Sequence, residues 1–223
     1  MITQAIQDYL KIIYKLGANG EKVTTNAVAE RLNVSQASVT GMIKKLAEIK
    51  LIRYTPYYGV ELTNAGRKIA LEIIRHHRLL ELYLAEALGY SWDRVHDEAE
   101  KLEHVISEEF EDKMAEFLGN PTTDPHGAPI PAKDGTIEER TLEPLCSVES
   151  GQRVQIKRVS DRDPEMLRYL ATIGIHPEVV IDVIGKVPFE GPLLIKLGDS
   201  EHYLGQALTR SILVSPVQRK LSS

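Results

Sequence analysis

Residues 95–104, VHDEAEKLEH, place two histidines and four acids within ten residues, with one lysine among them. At about 100° per residue, a helix over this stretch would gather four of these side chains within roughly a 100° sector of one face. Glu100 and Glu103 would be neighbours there and repel each other, while Lys101 would point elsewhere. A divalent cation would supply the missing counter-charge; the alternative is the solvated face of an amphipathic helix. The side chains of this sector are His96, Glu100, Glu103 and His104.

The composition is that of a globular protein whose metal sites would lack thiolates. The chain of 223 residues is 43% hydrophobic, enough for one large domain or two to three small ones. It has no run of about 18 apolar residues, and its N-terminal stretch is amphipathic, so we expect a soluble, cytoplasmic protein. Cys146 is the only cysteine in the sequence, which excludes an intrachain disulfide and a thiolate-rich zinc site. Metal ligands would therefore be oxygen and nitrogen atoms.

Charge is distributed unevenly along the chain. The formal net charge is −5 at pH 7, which by itself argues weakly against nucleic-acid binding. Residues 1–78, however, hold twelve Lys and Arg against six Asp and Glu, a net charge of +6, while the remainder carries −11. The basic N-terminal part is therefore where an anionic polymer could bind.

The pattern of this basic part predicts a helix-turn-helix followed by a β-hairpin. Apolar residues at helical spacing indicate a first helix over residues 4–16. Residues that can cap a helix then begin a short helix over 24–32 and another over 35–49. Short strands over 51–54 and 60–62 flank a turn. This order is typical of a winged helix, whose second helix of the pair enters the major groove of DNA.

The rest of the chain predicts long helices, a loop and a β-rich end. Helical patterns over 64–88 and 92–118 are too long and too apolar on one face for a lone pair, so we expect them to pack together and against a second subunit. Residues 119–147 are rich in Pro and Gly and indicate a loop. A small five-stranded barrel is the simplest assignment for the β-rich runs that follow. These runs cover 153–159, 179–184, 192–197 and 212–214.

In these elements and in two specific motifs, the sequence resembles the diphtheria toxin repressor family of metal-dependent transcriptional regulators, in its manganese-responsive form. The motifs are HHRLLE at residues 76–81 and VHDEAEKLEH at 95–104. The winged helix alone would be a weak sign, because many unrelated regulators share it. The likeness covers nearly the whole chain and implies an α+β multidomain fold. Its domains would be an N-terminal winged helix-turn-helix over 1–72, a helical dimerisation and metal-binding domain over 73–140, and an SH3-like (FeoA-like) β-barrel over 141–223.

The resemblance implies two metal sites in each subunit. The primary site would join Asp8 of the first helix to Glu100, Glu103 and His104. Iron-type members have methionine and cysteine where Asp8 and Glu100 stand, so the hard carboxylates here shift the preference towards Mn²⁺. Some manganese regulators have a further glutamate where this chain has Lys11, which argues against a paired metal cluster of that kind.

The ancillary site of the family combines helical ligands with an acid from the barrel. His77 and Glu81 are four residues apart, as a shared ligand face requires, whereas His76 points about 100° away and is expected at the surface. In some relatives a Cys-Pro-His-Gly loop supplies ligands, and here the loop reads DPHG. The acid from the barrel would be Asp161 or its close rival Asp163. The resemblance thus implies His77, Glu81, His96, His126 and Asp161 as ligands, with Asp124 as a further candidate.

The second helix of the helix-turn-helix should contact DNA. Hydroxyl side chains at its N-terminus suit phosphate binding, which positions the protein without reading sequence. The family often has proline and glutamine where Ala37 and Gly41 stand, so we expect modest specificity, with Gln36 as the best base-reading candidate. Lys44 and Lys45 would neutralise backbone phosphates. The predicted DNA contacts are Ser35, Gln36, Ala37, Ser38, Thr40, Lys44 and Lys45.

The resemblance implies a homodimeric repressor rather than an enzyme. It would bind Mn²⁺, then an operator in double-stranded DNA, and repress metal-uptake genes. Three alternatives remain open at this point. The first is an iron-dependent regulator of the same family, with Fe²⁺ as its cofactor. The second is a metal-independent winged-helix regulator that senses an organic ligand. The third is a hydrolytic metalloenzyme, although no nucleophile or base stands out apart from the ligands themselves.

Overall fold

The computed structural model of the protein describes residues 2–18, 20, 22–55, 58–138, 141–189 and 191–217. The chain forms two compact units. The first unit comprises the residues up to His77 together with Glu100–Lys113 and Pro131–Ile137. In the described ranges, no helix combines the length and the apolar character that a membrane span needs.

The first unit begins with the predicted helix-turn-helix and hairpin. Its elements are α1 (Gln4–Gly17), α2 (Thr25–Leu32), α3 (Gln36–Glu48), β1 (Ile52–Thr55) and β2 (Gly59–Leu62). Asn33 turns the chain between α2 and α3 with a φ of 52°, a left-handed conformation that Asn tolerates better than most residues. Ser35 caps α3, because its Oγ accepts a hydrogen bond from the Ser38 N–H at 3.2 Å. β1 and β2 pair antiparallel. The winged helix-turn-helix prediction is confirmed.

An apolar core holds the elements of the winged helix together. Leu10 of α1, Val28 of α2 and Val39 of α3 are fully buried in it, and Val60 of β2 closes it from the hairpin. Each such side chain contributes about 1.5–3 kcal/mol by leaving water. This core fixes α1 relative to α3, so a displacement of α1 moves the helix that should contact DNA.

The helical part that follows differs from the sequence prediction in one respect. α4 (Asn64–Glu86) corresponds to the helix predicted over 64–88. The second predicted helix, over 92–118, is divided into α5 (Val95–Leu102) and α6 (Glu108–Phe117). The prediction of one continuous helix was wrong, because an apolar pattern can keep its period across a turn.

The break between α5 and α6 follows from a local signal in the sequence. Ser107 begins α6, since its Oγ accepts a hydrogen bond from the Phe110 N–H at 3.2 Å. Acidic residues in the first turn of α6 suit the positive end of the helix dipole. Glu103 and His104 therefore lie beyond the end of α5 rather than on the helix face on which the periodicity placed them.

Glu111 of α6 anchors this helix to α4. The Glu111 carboxylate accepts hydrogen bonds from Arg75 Nε and, at 3.0 Å, from His76 Nε2. Burial acts to raise the pKa of Glu111, but the hydrogen bonds from His76 and Arg75 outweigh it and lower the pKa from 4.5 to about 2. His76 is buried, so the expectation that it lies at the surface was wrong.

We expect Glu111→Gln to lower the free energy of unfolding by about 2 kcal/mol at pH 7, because a buried, charge-assisted network loses its charge. Since the folded-state pKa lies below the ordinary value, this carboxylate stabilises the fold above pH 4.5 and loses that effect as the pH falls towards 2. Urea unfolding over this pH range measures the difference from the wild type. Glu109→Gln, an exposed neighbour on α6, is the control and should change little.

The second unit comprises Arg78–Ala99, Met114–Ile130 and the residues from Glu138 onward, and contains an antiparallel sheet. Its strands are β3 (Glu143–Pro144), β4 (Arg153–Val159), β5 (Val180–Lys186), β6 (Leu193–Leu197), β7 (Ser200–Leu204) and β8 (Ile212–Pro216). In the described part of the chain these six strands have the order β3-β8-β4-β5-β6-β7. The sequence predicts five. β3 is two residues long and β7 reads SEHYL, so neither edge strand has a strong alternating pattern.

Short helices cover the core of this sheet. A 3-10 turn over Leu145–Ser147 follows β3, α7 (Pro164–Thr172) lies between β4 and β5, and α8 (Gln206–Ser211) lies between β7 and β8. Leu167 and Leu170 of α7 are fully buried against the strands. The connection between β4 and α7, which carries both predicted acidic ligands, is therefore held at each end by the core.

Candidate metal centres and nucleic-acid interface

The first cluster lies in the first unit and brings together Asp8, Glu103 and His104. Asp8 comes from α1, and the other two follow the end of α5. His104 Nε2 lies 2.9 Å from Asp8 Oδ1 and 3.2 Å from Glu103 Oε1. One ligand atom from each residue can be chosen so that all lie within 4.8 Å of one another. Three of the four residues predicted for the primary site thus converge around one position.

The hydrogen bond of the other ring nitrogen prepares His104 for a cation. His104 Nδ1 lies 2.8 Å from the side-chain oxygen of Gln7, an atom that can only accept, so Nδ1 carries a proton. In the neutral ring, Nε2 then presents a lone pair to two carboxylate oxygens. A divalent cation between these atoms would satisfy all of them. Sequence patterns do not indicate Gln7, because a glutamine beside an acidic residue has no motif of its own.

Glu103 is the centre of this cluster. Its carboxylate is fully buried, with Oε2 2.6 Å from His77 Nδ1 and Oε1 2.6 Å from Lys11 Nζ. Lys11 also lies 2.8 Å from Oε1 of Glu100, the fourth predicted ligand. A buried carboxylate with these partners is not the solvated helix face that the sequence left open as an alternative.

The concentration of charge shifts the ionisation of the cluster. Burial raises the pKa of Asp8; Glu103 and Glu100 add to this effect, while His104 and Lys11 oppose it. Burial acts to lower the pKa of Lys11, but Glu103 and Glu100 outweigh it and raise the pKa, so the ammonium remains charged. The cluster therefore already holds one positive charge among its carboxylates.

A second cluster lies in the second unit and is centred on Glu81 of α4. His96 Nδ1 of α5 lies 3.1 Å from Glu81 Oε1 and 3.6 Å from Asp161 Oδ2. Asp161 stands in the connection between β4 and α7. Asp163, its rival in the sequence, caps α7 instead, because its Oδ1 accepts hydrogen bonds from the first backbone N–H groups of that helix. The geometry thus brings Asp161, and not Asp163, beside the helical ligands.

Glu81 also faces the DPHG loop. Glu81, Asp124 and His126 form a further group whose possible ligand atoms lie within 4.8 Å of one another, and all three residues are buried. His126 Nε2 lies 2.7 Å from the backbone oxygen of Trp92, which can only accept, so Nε2 carries the proton. In the neutral ring, His126 Nδ1 is then a buried lone pair, and it has no hydrogen-bond partner among the described residues. A cation held with Glu81 would satisfy it.

The backbone of the DPHG loop fixes these side chains in place. Asp124 Oδ1 accepts hydrogen bonds from the backbone N–H groups of His126 and Ala128, each at 2.9 Å. Burial raises the pKa of Asp124 to about 6; the charge of Glu81 adds to this effect and that of Arg78 opposes it. The arrangement is that of a loop shaped to hold two side chains towards Glu81.

The loop is also attached to β4 of the sheet. The His126 carbonyl accepts a hydrogen bond from the Val159 N–H at 2.9 Å. Gly127 has a φ of +84°, and a Cβ built on it would lie 1.9 Å from the backbone oxygen of Lys157. A glycine is therefore required at this position both for its conformation and for the close approach of the strand.

His77 is the predicted ligand whose contacts differ most from expectation. The resemblance assigns it to the ancillary site, whereas the structure places it in the first unit beside Glu103. Its assignment as an ancillary ligand stays a prediction.

The predicted DNA contacts lie on α3 and at its cap. Ser35 and Ser38 are occupied in capping, with their hydroxyls 2.9 Å apart, and the Thr40 hydroxyl donates to the Gln36 carbonyl at 2.8 Å. Gln36 and the two lysines extend into solvent with no such local role in the described contacts. The exposed residues of this surface are Ser35, Gln36, Ala37, Ser38, Thr40, Lys44 and Lys45.

Three family models match successive parts of the chain. Residues 1–60 match a model described as iron dependent repressor, N-terminal DNA binding domain. Residues 63–132 match iron dependent repressor, metal binding and dimerisation domain. Residues 143–216 match the FeoA domain. These matches cover the winged helix, the helical part with most of the predicted metal ligands, and the six-stranded sheet, for which they confirm the predicted SH3-like domain.

Individual proteins match over nearly the full length. The iron-dependent repressor IdeR of Mycobacterium tuberculosis is 39% identical over 221 residues, which cover 94% of this chain and 96% of that protein. A structure described as a manganese-dependent transcriptional repressor in complex with manganese is 38% identical, with a TM-score of 0.88, over 95% of this chain and 99% of that one. ScaR with bound Zn²⁺ is 32% identical, with a TM-score of 0.81 and the same coverage.

Proposed function

The chain belongs to the diphtheria toxin repressor family of metal-dependent, DNA-binding transcriptional repressors, and on this premise we propose that its activating metal is Mn²⁺. Its function is regulatory, not enzymatic. We further propose that it acts in the cytoplasm as a homodimer, binds an operator in double-stranded DNA when Mn²⁺ is bound, and represses metal-uptake genes. The matches to a DNA-binding and to a dimerisation domain support this proposal.

The observation that carries the metal preference is the chemistry of the two clusters. Each offers carboxylate oxygens and imidazole nitrogens, and among the described residues neither includes a sulfur atom. Cys146 lies in the 3-10 turn after β3 and belongs to neither cluster. Oxygen and imidazole ligands suit Mn²⁺ and Fe²⁺ better than thiophilic metals. Similarity to a repressor in complex with manganese favours Mn²⁺, while similarity to IdeR makes Fe²⁺ the second candidate.

At the first cluster, we propose that the chain uses its ligands to hold α1 in place. Gln7 orients the His104 ring and His77 orients the Glu103 carboxylate, so the donor atoms are fixed before any ion arrives. A divalent cation bound by Asp8, Glu103 and His104 would neutralise the two carboxylates and fix α1 to the segment after α5. Because the apolar core fixes α3 relative to α1, this contact would set the position of the DNA-contacting helix.

At the second cluster, we propose that Glu81, His96, Asp161 and His126 are ligands and that Asp124 shapes the loop and can add another oxygen. The support is the buried Nδ1 lone pair of His126 and the convergence of the acids on Glu81. Here the residues would join α4 and α5 to the DPHG loop and to the connection after β4. The expected result is a more rigid second unit.

Two DNA-binding heads in a homodimer would read half-sites about one helical turn or more apart. Only the arrangement of heads that fits this spacing would bind the operator. The metal can act by binding to this arrangement of the dimer more tightly than to others. By linkage, bound metal then strengthens operator binding, and bound operator strengthens metal binding by the same factor.

The test is selection of genomic DNA fragments by the purified, chelator-treated protein, with the retained fragments sequenced. Parallel selections contain Mn²⁺, Fe²⁺ under anaerobic conditions, Zn²⁺, or chelator alone. We expect a pseudo-palindromic sequence to be enriched with Mn²⁺ and not with chelator. Equal enrichment in chelator would discard the metal switch, and stronger enrichment with Fe²⁺ than with Mn²⁺ at equal free concentration would reassign the protein to iron.

A further inference from the structure

Lys11 is a buried cation inside the first cluster. Only 2% of the residue is exposed, and its ammonium lies 2.6 Å from Glu103 Oε1 and 2.8 Å from Glu100 Oε1. Lysine is seldom buried unless it is paired. Lys11 and Asp8 both lie in α1, so this one helix supplies both an ammonium and a carboxylate to the cluster.

Of the two carboxylate oxygens of Glu103, Lys11 contacts the one that faces His104. Glu103 Oε1 lies 3.2 Å from His104 Nε2, so it is also the oxygen that a cation between Glu103 and His104 would use. Glu103 Oε2 is already in contact with His77 Nδ1 at 2.6 Å. An ion entering the cluster must therefore share Glu103 Oε1 with the ammonium or displace it.

We propose that Lys11 is a tethered competitor of the metal: its ammonium stabilises the metal-free carboxylates and must be displaced from Glu103 Oε1 before a divalent cation binds, so Lys11 raises the metal concentration at which the protein responds. The inference rests on the proposed function in one respect, namely that a divalent cation binds at this cluster.

The charges of the cluster support this role. The three carboxylates of Asp8, Glu100 and Glu103 carry −3 at most, and the ammonium reduces this to −2, which one divalent cation neutralises. Without Lys11, the metal-free protein would hold the three carboxylates with only the imidazoles of His77 and His104 to offset them, at a large electrostatic cost. Removing Lys11 should therefore destabilise the metal-free state and strengthen metal binding at the same time.

An opposing effect comes from orientation. Lys11 holds Glu100 and Glu103 near each other, and losing it could loosen two ligand positions. Glu103, however, keeps its contact with His77 and its place in the protein interior, so its carboxylate remains oriented. Charge repulsion between an ammonium and a divalent ion a few ångströms apart is the larger effect in a buried site, because little water screens it.

The experiment compares the protein that is wild type at position 11 with Lys11→Met by calorimetric titration with Mn²⁺ and by thermal unfolding in chelator. Every protein also carries Glu81→Gln, so that the titration reports the first cluster. We expect Lys11→Met to bind Mn²⁺ about 10- to 100-fold more tightly and to unfold several degrees lower in chelator. Lys11→Gln, which removes the charge but keeps a hydrogen-bond donor, should show the same gain in affinity and serves if the Met variant does not fold.

The control is Lys68→Met, which removes an exposed lysine of α4 and changes the net charge equally. It should leave both measurements close to those of the wild type. Unchanged or weaker Mn²⁺ binding by both Lys11 variants, with normal binding by the wild type, would overturn the competitor role while leaving the proposed function intact. If the Glu81→Gln protein with Lys11 intact and both Lys11 variants bind no Mn²⁺, the metal assignment of this cluster fails, and the inference fails with it.

Discussion

Glu103→Gln is expected to abolish the metal response. The substitution keeps the size of the side chain but removes the charge that His77, Lys11 and His104 share. Losing even an outer partner of a metal ligand typically costs about 10- to 100-fold in affinity, so loss of this ligand should exceed about 100-fold. Operator binding by the variant should then be equally weak with Mn²⁺ and with chelator.

Mn²⁺ titration followed by a mobility-shift assay with the selected operator measures both effects. Asp97→Asn is the matched control, since Asp97 belongs to the same acidic stretch but is exposed on α5. It removes one negative charge and should retain the response. Thermal unfolding of each variant in chelator separates loss of metal binding from loss of the fold. A Glu103→Gln protein that still requires Mn²⁺ for operator binding would refute the role of the first cluster.

Gly127→Ala is expected to disrupt the second cluster and to destabilise the fold by about 3 kcal/mol, within the range of severe backbone substitutions. The added Cβ would meet the Lys157 carbonyl at 1.9 Å in a residue whose φ is +84°. The DPHG loop must then move away from β4, and with it His126. Denaturant unfolding measures the stability.

Fluorescence gives an independent readout of the same variant. Trp92 is the chain's only tryptophan, and its ring stacks on that of His126 with centroids 5.8 Å apart. Mn²⁺ bound by His126 should quench this fluorescence in the wild type and not in Gly127→Ala. Gly135→Ala is the control: Gly135 also has a φ of +84°, but its nearest neighbour is the Leu71 side chain at 3.8 Å. It should cost only the backbone strain, about 1 kcal/mol, and preserve the quenching. Equal effects of both substitutions would contradict the close-approach argument.

The parts of the fold that were predicted correctly depend on neighbouring residues. Ser35 caps α3, and β4 occupies Arg153–Val159 as predicted, with Val154 and Ile156 at alternating, buried positions. The missed break at Ser107 was equally local. The apolar period continues across this break and predicts one helix, whereas the Ser107 cap predicts a new one, and the structure follows the cap.

The candidate sites depend on contacts between distant parts of the chain, which a helical pattern cannot supply. Lys11 meets Glu103 across 92 residues, and His76 is buried because α6 covers it. Periodicity gives the direction of a side chain but not what lies opposite. The sequence does not show whether Asp161 or Asp163 is the acidic ligand, because both stand in the short connection between β4 and α7. The capping bonds of Asp163 explain why it is engaged elsewhere.

His76 and His77 both bind Glu103, the first through the Glu103 backbone oxygen at 3.0 Å and the second through its side chain at 2.6 Å. Adjacent residues on a helix point about 100° apart, so only one rotation of α4 allows both contacts. An insertion or deletion of a single residue between Asn64 and His76 would rotate this pair by about 100° relative to the first turns of α4, so the pair could not keep both its contacts with Glu103 and its alignment with those turns. The length of this part of α4 is therefore fixed, and natural variation in chain length should be confined to loops such as the one between α1 and α2.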